Sequence, residues 1–343
     1  MTTTLKNLDT VKLANYLETR IEGFQGPLTT EKFAGGQSNP TFLLKAQSGN
    51  YVLRRQPPGA LLKGAHAVDR EYRVLVALKD SGVPVAHAYH LCEDSEVIGS
   101  LFYVMSFVQG RIFWDPALPE LTREQRAPLY VELIRILATL HNVDVNTVGL
   151  GDYGRPGNYF ERQVSMWTKQ YRASETETIQ SMETLISWLP ANMPADDGQL
   201  SLVHGDYRLD NLIFHPDEAR VLAVLDWELS TLGHPLADLA YFCMCLRLPS
   251  TGQVSGLAGK NRQELGIPSE ANLVARYCAL RGIGVIENWS FYLAFSFFRL
   301  AAIVQGVLKR SLDGNASSDQ AVQVGKMAGQ LAQLAITLIK NER

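Results

Sequence analysis

Four cysteines, Cys92, Cys243, Cys245 and Cys278, are too few and too scattered in 343 residues to staple a fold. Cys243 and Cys245 are too close within an expected helix to bridge or to match a zinc spacing. Four reduced thiols and a cytoplasmic protein are the expectation. Charge bias is missing as well: 32 Lys and Arg stand against 35 Asp and Glu, a net charge of −3. Without the basic stripe that counterion release from a phosphate backbone requires, nucleic acid is not an expected partner. No basic start followed by an apolar run opens the sequence, so no export signal is visible. The one membrane-like stretch, Phe291 to Leu308, is interrupted by Arg299 and Gln305 and reads as a buried helix, leaving no membrane partner. Internal repeats, low-complexity tracts and long charged tails are absent. The seven histidines are dispersed, with no metal-ligand spacing.

What is there suffices for a large core. A hydrophobic content of 46% over this length exceeds one typical domain and suggests two packed lobes. Strand patterns fill the first hundred residues at 41–46, 51–55 and 101–107, with a helix expected over 65–79, where Glu71 lies beside the apolar face. After Gly110 the pattern turns helical, with long periodic runs at 123–141 and 160–188. An apolar, β-branched island at 212–214 and 221–225 reads as a hairpin, and helices resume from about 235, including 288–309 and 320–339. These patterns predict an α+β chain of two lobes, residues 1–108 strand-rich with one helix and 109–343 mostly helical.

The chemistry-bearing constellation is HGDYRLDN at 204–211, which places Asp206 and Asn211 five positions apart just before the hairpin, with Asp226 following in VLDWE. Phosphoryl transfer from ATP needs a carboxylate beside the attacking hydroxyl and oxygen ligands for Mg²⁺, and this set supplies both. Asp206 would accept the hydroxyl proton; Asn211 and Asp226 would hold the metal against the triphosphate. Any one of the three alone reads better as a turn former or a strand end.

On these residues the chain resembles the aminoglycoside phosphotransferase superfamily, in which HGD replaces the HRD of protein kinases and DWE replaces DFG. The resemblance implies a protein-kinase-like two-lobed fold, with a small N-terminal antiparallel-sheet lobe holding one helix and a larger, mostly helical C-terminal lobe, and a nucleotide cleft between them. It makes GHPLADLAY at 233–241 similar to the family's GDPxxDLA segment, with Asp238 bracing the catalytic loop rather than doing chemistry. It places Gly35 and Gly36 in a phosphate-covering turn, Arg54 on the strand whose cation pairs with the helix acid Glu71, and Met105, Ser106 and Val108 in a hinge along the adenine. Protein kinases usually carry Lys where Arg stands here, a replacement that relatives in this phosphotransferase branch accept, and whether Arg54 or Arg55 makes the pair stays open. Arg208 stands where a cation could neutralise charge developing in the transition state, although a plain salt bridge would explain it equally. His204 and His141 read as packed, hydrogen-bonded residues.

The segment 151–174, GDYGRPGNYFERQVSMWTKQYRAS, together with YVLRRQPPG at 51–59, is similar to a subgroup of these kinases found fused to acyl-CoA dehydrogenases. That kinship implies a hydroxyacyl thioester or related hydroxylated small molecule as substrate; no flavin is expected, because the length leaves no room for a flavin domain beside the two lobes. Most aromatics of the segment fit a core stripe, which leaves Arg155, Arg162 and Arg172 as candidate substrate contacts. The competing reading is a catalytically silent ATP-binding regulatory module. A protein kinase is disfavoured because almost nothing separates Asp226 from GHPLADLA. The sequence leaves open whether the chain pairs as a homodimer.

Overall fold

Alternating burial along residues 41–46, with Phe42 and Leu44 inward, starts an antiparallel sheet whose two-sided demands the first hundred residues meet. The computed structural model describes residues 8–33, 39–57, 66–155, 157–250, 255–313 and 324–341. Gly35 and Gly36 lie outside them. The chain divides into two units: Met1–Arg111 with Leu212–Leu229, and Ile112–Asn211 with Ser230–Arg343.

In the first unit, strands β1 (Leu28–Lys32), β2 (Thr41–Ala46), β3 (Gly49–Arg55), β4 (Ala88–Cys92) and β5 (Phe102–Ser106) form one sheet in the order β1-β2-β3-β5-β4, with every pair antiparallel. Helix α1 (Thr10–Glu18) buries Leu13 and Leu17 in one core with Leu44, Leu53 and Phe102. Helix α2 (Val68–Leu78) packs on β4 and β5 and buries Val68, Glu71, Val74, Leu75 and Leu78, so a carboxylate sits on its apolar face. The hairpin of β7 (Leu212–Phe214) and β8 (Val221–Val224) completes the unit. The backbones of Arg111 and Phe214 exchange two hydrogen bonds of 2.8 Å each.

The second unit is helical around α9 (Trp289–Leu312), which packs against α4 (Tyr159–Ser174), α5 (Gln180–Ala191), α6 (Leu236–Leu246) and α10 (Met327–Asn341). By length and composition α9 could cross a membrane, but 72% of its apolar window is buried inside the protein. Helix α3 (Arg123–His141) packs on α8 (Glu270–Arg281) and on the short α7 (Arg262–Leu265), and a two-stranded ladder joins β6 (Ser201–Val203) to β9 (Thr231–Gly233). The four cysteines are free and buried.

The single helix expected over 160–188 is instead two, α4 and α5. The break is tertiary in origin: Gln305 of α9 donates from Nε2 to the Ser174 carbonyl at 2.8 Å and to Thr176 Oγ1 at 3.0 Å, and Glu175 is extended. Strands β1, β4, β6 and β9 do not figure among the strand patterns read from the sequence. The last two have three residues each, too few for an alternating pattern to show.

A Cβ at Gly110 would lie 2.3 Å from the Phe214 carbonyl oxygen, on backbone that cannot swing aside. Gly110→Ala should therefore destabilise the hairpin's attachment by about 1–3 kcal/mol, seen as a lower urea midpoint at unchanged slope.

Candidate active site

Strand alternation decides which arginine meets the helix acid. On β3 the Arg54 side chain turns toward α2, where its Nε lies 2.7 Å from Glu71 Oε2, whereas Arg55 turns to the other face and donates to Ser100 Oγ at 2.9 Å. Glu71 is 1% exposed, and its oxygens also accept from Asn39 Nδ2 at 2.8 Å and from the Tyr103 hydroxyl at 3.2 Å. Burial pushes its carboxyl up to about 7 against the pull of the Arg54 guanidinium. Arg54 reaches further within the same unit: Nη2 is 2.7 Å from Asp226 Oδ1 and 3.5 Å from Glu228 Oε2.

Asp226 follows β8 at φ +62°, a left-handed conformation that Asp tolerates better than most side chains. Trp227, 2% exposed, pins the turn by donating its indole N–H to the Val224 carbonyl at 3.1 Å. The hinge candidates Met105, Ser106 and Val108 lie half-buried at and just beyond the end of β5. The Ser106 N–H donates to the His87 carbonyl at 2.8 Å, which leaves its carbonyl as the group that could meet a base.

The second unit carries the HGD loop. Asp238 on α6 is 1% exposed, and its Oδ2 accepts from the His204 N–H at 2.6 Å while Oδ1 accepts from the Gly205 N–H at 2.8 Å. Gly205 has φ +84°, which a residue with a side chain adopts only under strain. Its carbonyl accepts from Arg299 Nη2 of α9 at 2.7 Å. His141 offers Nε2 to Asp238 at 3.2 Å and takes the Tyr277 hydroxyl on Nδ1 at 2.6 Å, a pattern that suits the neutral ring. Burial holds the His141 pKa below its ordinary value in spite of Asp238. For Asp238, burial alone would raise the carboxyl, but its bonds to His141 and the loop hold it below the usual range.

On this frame Asp206 is held from three directions. Oδ1 accepts from the Tyr241 hydroxyl at 2.7 Å and has Arg208 Nε at 3.3 Å, while Oδ2 accepts from Asn211 Nδ2 at 3.0 Å. Asn211 Nδ2 also donates to the Asp206 carbonyl at 2.8 Å, which fixes the amide so that its oxygen is the atom a cation would use. Arg208 divides itself between Asp206 and Asp210, the latter at 2.8 Å from Nη2.

Asp226 and the Asn211 amide suit Mg²⁺ chemically, since both offer hard oxygen donors and Asp226 is already matched to a cation, Arg54. Among the described residues no three His, Cys, Asp or Glu side chains form a metal cage. Mg²⁺ in phosphotransfer sites instead takes one or two protein oxygens and completes its shell with phosphate and water.

Of the three arginines of 151–174, Arg155 and Arg162 line a cavity of about 620 Å³ in the second unit, floored by Phe160, Leu232 and Tyr292. Arg172 does not: it is tied to Glu175 at 2.7 Å and Glu183 at 2.6 Å, bracing α4 against α5.

Sequence reasoning did not single out Asn39, Tyr103, Tyr241 and Glu228. Asn39 carries no signal in its surroundings, but Tyr241 stands three residues after Asp238 and hence on the same helical face, which could have marked it. Arg299, noted only as an interruption of an apolar run, was a buried charge in need of a partner.

Comparison with known proteins matches residues 29–273 to the phosphotransferase enzyme family. The chain is 50% identical over 311 residues to acyl-CoA dehydrogenase family member 10 of Mus musculus, covering 90% of this chain and 29% of that protein. It is 44% identical over 337 residues to acyl-CoA dehydrogenase family member 11 of Homo sapiens, covering 97% and 43%. The chain thus spans less than half the length of these curated relatives. A crystal structure from Ralstonia eutropha, assigned as an aminoglycoside phosphotransferase, superposes at TM-score 0.90 with 50% identity and covers 98% of this chain and 99% of that one. Spectinomycin phosphotransferase in complex with ADP and spectinomycin superposes at 0.61 with 12% identity, covering 95% and 98%, a likeness of fold alone. The sheet-plus-helix N-terminal part and the helical remainder are therefore the kinase-like fold that the motifs implied.

Replacing Asp238 by Ala would strand the two loop N–H groups and should cost about 3–5 kcal/mol in chemical denaturation. His141 gives a pH test. Because its folded pKa is depressed, its stabilising contribution is present above about 6.5 and is lost as pH falls, when the unfolded chain takes up the proton first. Between about pH 7 and 5.5, His141→Gln should lose less stability than the wild type in paired urea titrations.

Proposed function

Because the chain belongs to the phosphotransferase enzyme family, we propose that it transfers the γ-phosphoryl group of ATP to a hydroxyl of a small molecule. The observation that carries this reading is the Asp206 carboxylate, held on both oxygens by Tyr241 and Asn211 yet still 23% exposed. A carboxylate fixed in this way is suited to accept the acceptor's proton as the hydroxyl oxygen forms its bond to the γ-phosphorus and the bond to the β-phosphate oxygen breaks, releasing ADP.

Arg54, paired with Glu71, supplies the phosphate-facing cation; its planar fork suits two phosphate oxygens where Lys would offer a point charge. Asp226 in the first unit and Asn211 in the second are each oxygen donors that would suit Mg²⁺, which when bound offsets the negative charge of the triphosphate. Arg208, 21% exposed, offers positive charge beside Asp206 for the transferring group. The ADP held by a relative of the same fold supports the nucleotide. For the acceptor we favour a hydroxylated acyl thioester, because the curated relatives are acyl-CoA dehydrogenase family members. Arg155 and Arg162 at the cavity of the second unit could meet the acidic part of such a molecule.

The test is ADP release from Mg·ATP across hydroxy acids, hydroxyacyl thioesters, sugars and amino alcohols. One acceptor class should accelerate turnover, and Asp206→Ala should lower it by about 10²–10⁴ while ATP binding persists. Slow hydrolysis that no hydroxylated compound accelerates would instead identify a silent ATP-binding module.

A further inference from the structure

Tyr241 lies outside every motif residue to which chemistry was assigned, yet its hydroxyl is 2.7 Å from the oxygen on which the proposed reaction depends. Resting on the reading of Asp206 given above, we propose that Tyr241 is a positioning residue for phosphoryl transfer, acting through the Asp206 carboxylate.

The terminal torsion of an aspartate is broad and soft, so a carboxylate held at only one oxygen swings through a wide arc. A general base must instead be fixed to within a fraction of an ångström of its proton donor. Here Asn211 holds Oδ2 and Tyr241 holds Oδ1, so the torsion is set from both ends. An ionised carboxylate offers about four lone-pair sites. With Tyr241 and Arg208 on Oδ1 and Asn211 on Oδ2, the sites directed to the open side remain for an acceptor hydroxyl.

The tyrosine is itself well fixed. It is buried on α6 one turn after Asp238, so a single helical face holds the loop backbone through Asp238 and the loop side chain through Tyr241. The Arg299 guanidinium lies 5.3 Å from the Tyr241 ring centroid and 5.7 Å from that of Trp167, while donating to the Gly205 carbonyl. A purely structural tyrosine could satisfy its hydroxyl on a backbone carbonyl, as Tyr207 does with Leu133 at 2.7 Å. Burial holds the Tyr241 phenol well above its ordinary range, so it remains a donor.

Tyr241→Phe removes the one hydroxyl and leaves the ring in place. With Mg·ATP alone, water serving as acceptor and ADP release as readout, kcat should fall by about tenfold or more while KM for Mg·ATP stays within about twofold. A second arm needs no turnover: the thermal-midpoint loss caused by Tyr241→Phe should vanish when Asp206 is already Ala. Unchanged kcat, or the same midpoint loss in both backgrounds, overturns the proposal. Undiminished turnover in Asp206→Ala overturns the reading of Asp206 itself and the role of Tyr241 with it.

Discussion

A single buried carboxylate organises the second unit. Asp238 is removed from water, and an ionised group there is tolerable only if its lone pairs are filled. The fillers are the two backbone N–H groups ahead of Asp206, together with a neutral histidine. The energetic demand of one charge thus dictates the path of the HGD loop. The left-handed turn at Gly205, the aim of the Asp206 side chain and the reach of Asn211 all follow from that path.

The first unit solves a comparable problem with the opposite sign in the lead. Arg54 on β3 is nearly surrounded by carboxylates, with Glu71 buried beneath it and Asp226 and Glu228 toward solvent. One guanidinium facing three acids leaves an excess of negative charge. That environment favours a further cation, and the charge on Arg54 is secured by its neighbours before any nucleotide arrives.

Much of this was legible in the sequence, for reasons that can be named. The five-residue spacing of Asp206 and Asn211 and the apolar hairpin behind them are local patterns, as are β2, β3, α2 and α3, each of which shows its own period. What escaped was non-local. The break between α4 and α5 depends on Gln305, more than a hundred residues away, and the choice between Arg54 and Arg55 depends on which face of β3 receives α2. Strands of three residues cannot display a period, and Asn39 gains meaning only once Glu71 is known to be buried above the sheet.

The placing of Arg299 between Trp167 and Tyr241 ties helix α4 to the HGD loop. Helix α4 leaves Glu161, Ser165, Met166, Lys169 and Gln170 exposed, where replacement should cost little. Position 167 has less freedom, because the indole covers a charge that also grips the loop beside Asp206. A change at Trp167 is therefore felt at the Gly205 carbonyl, one residue from Asp206, whereas a change at an exposed position of the same helix is not.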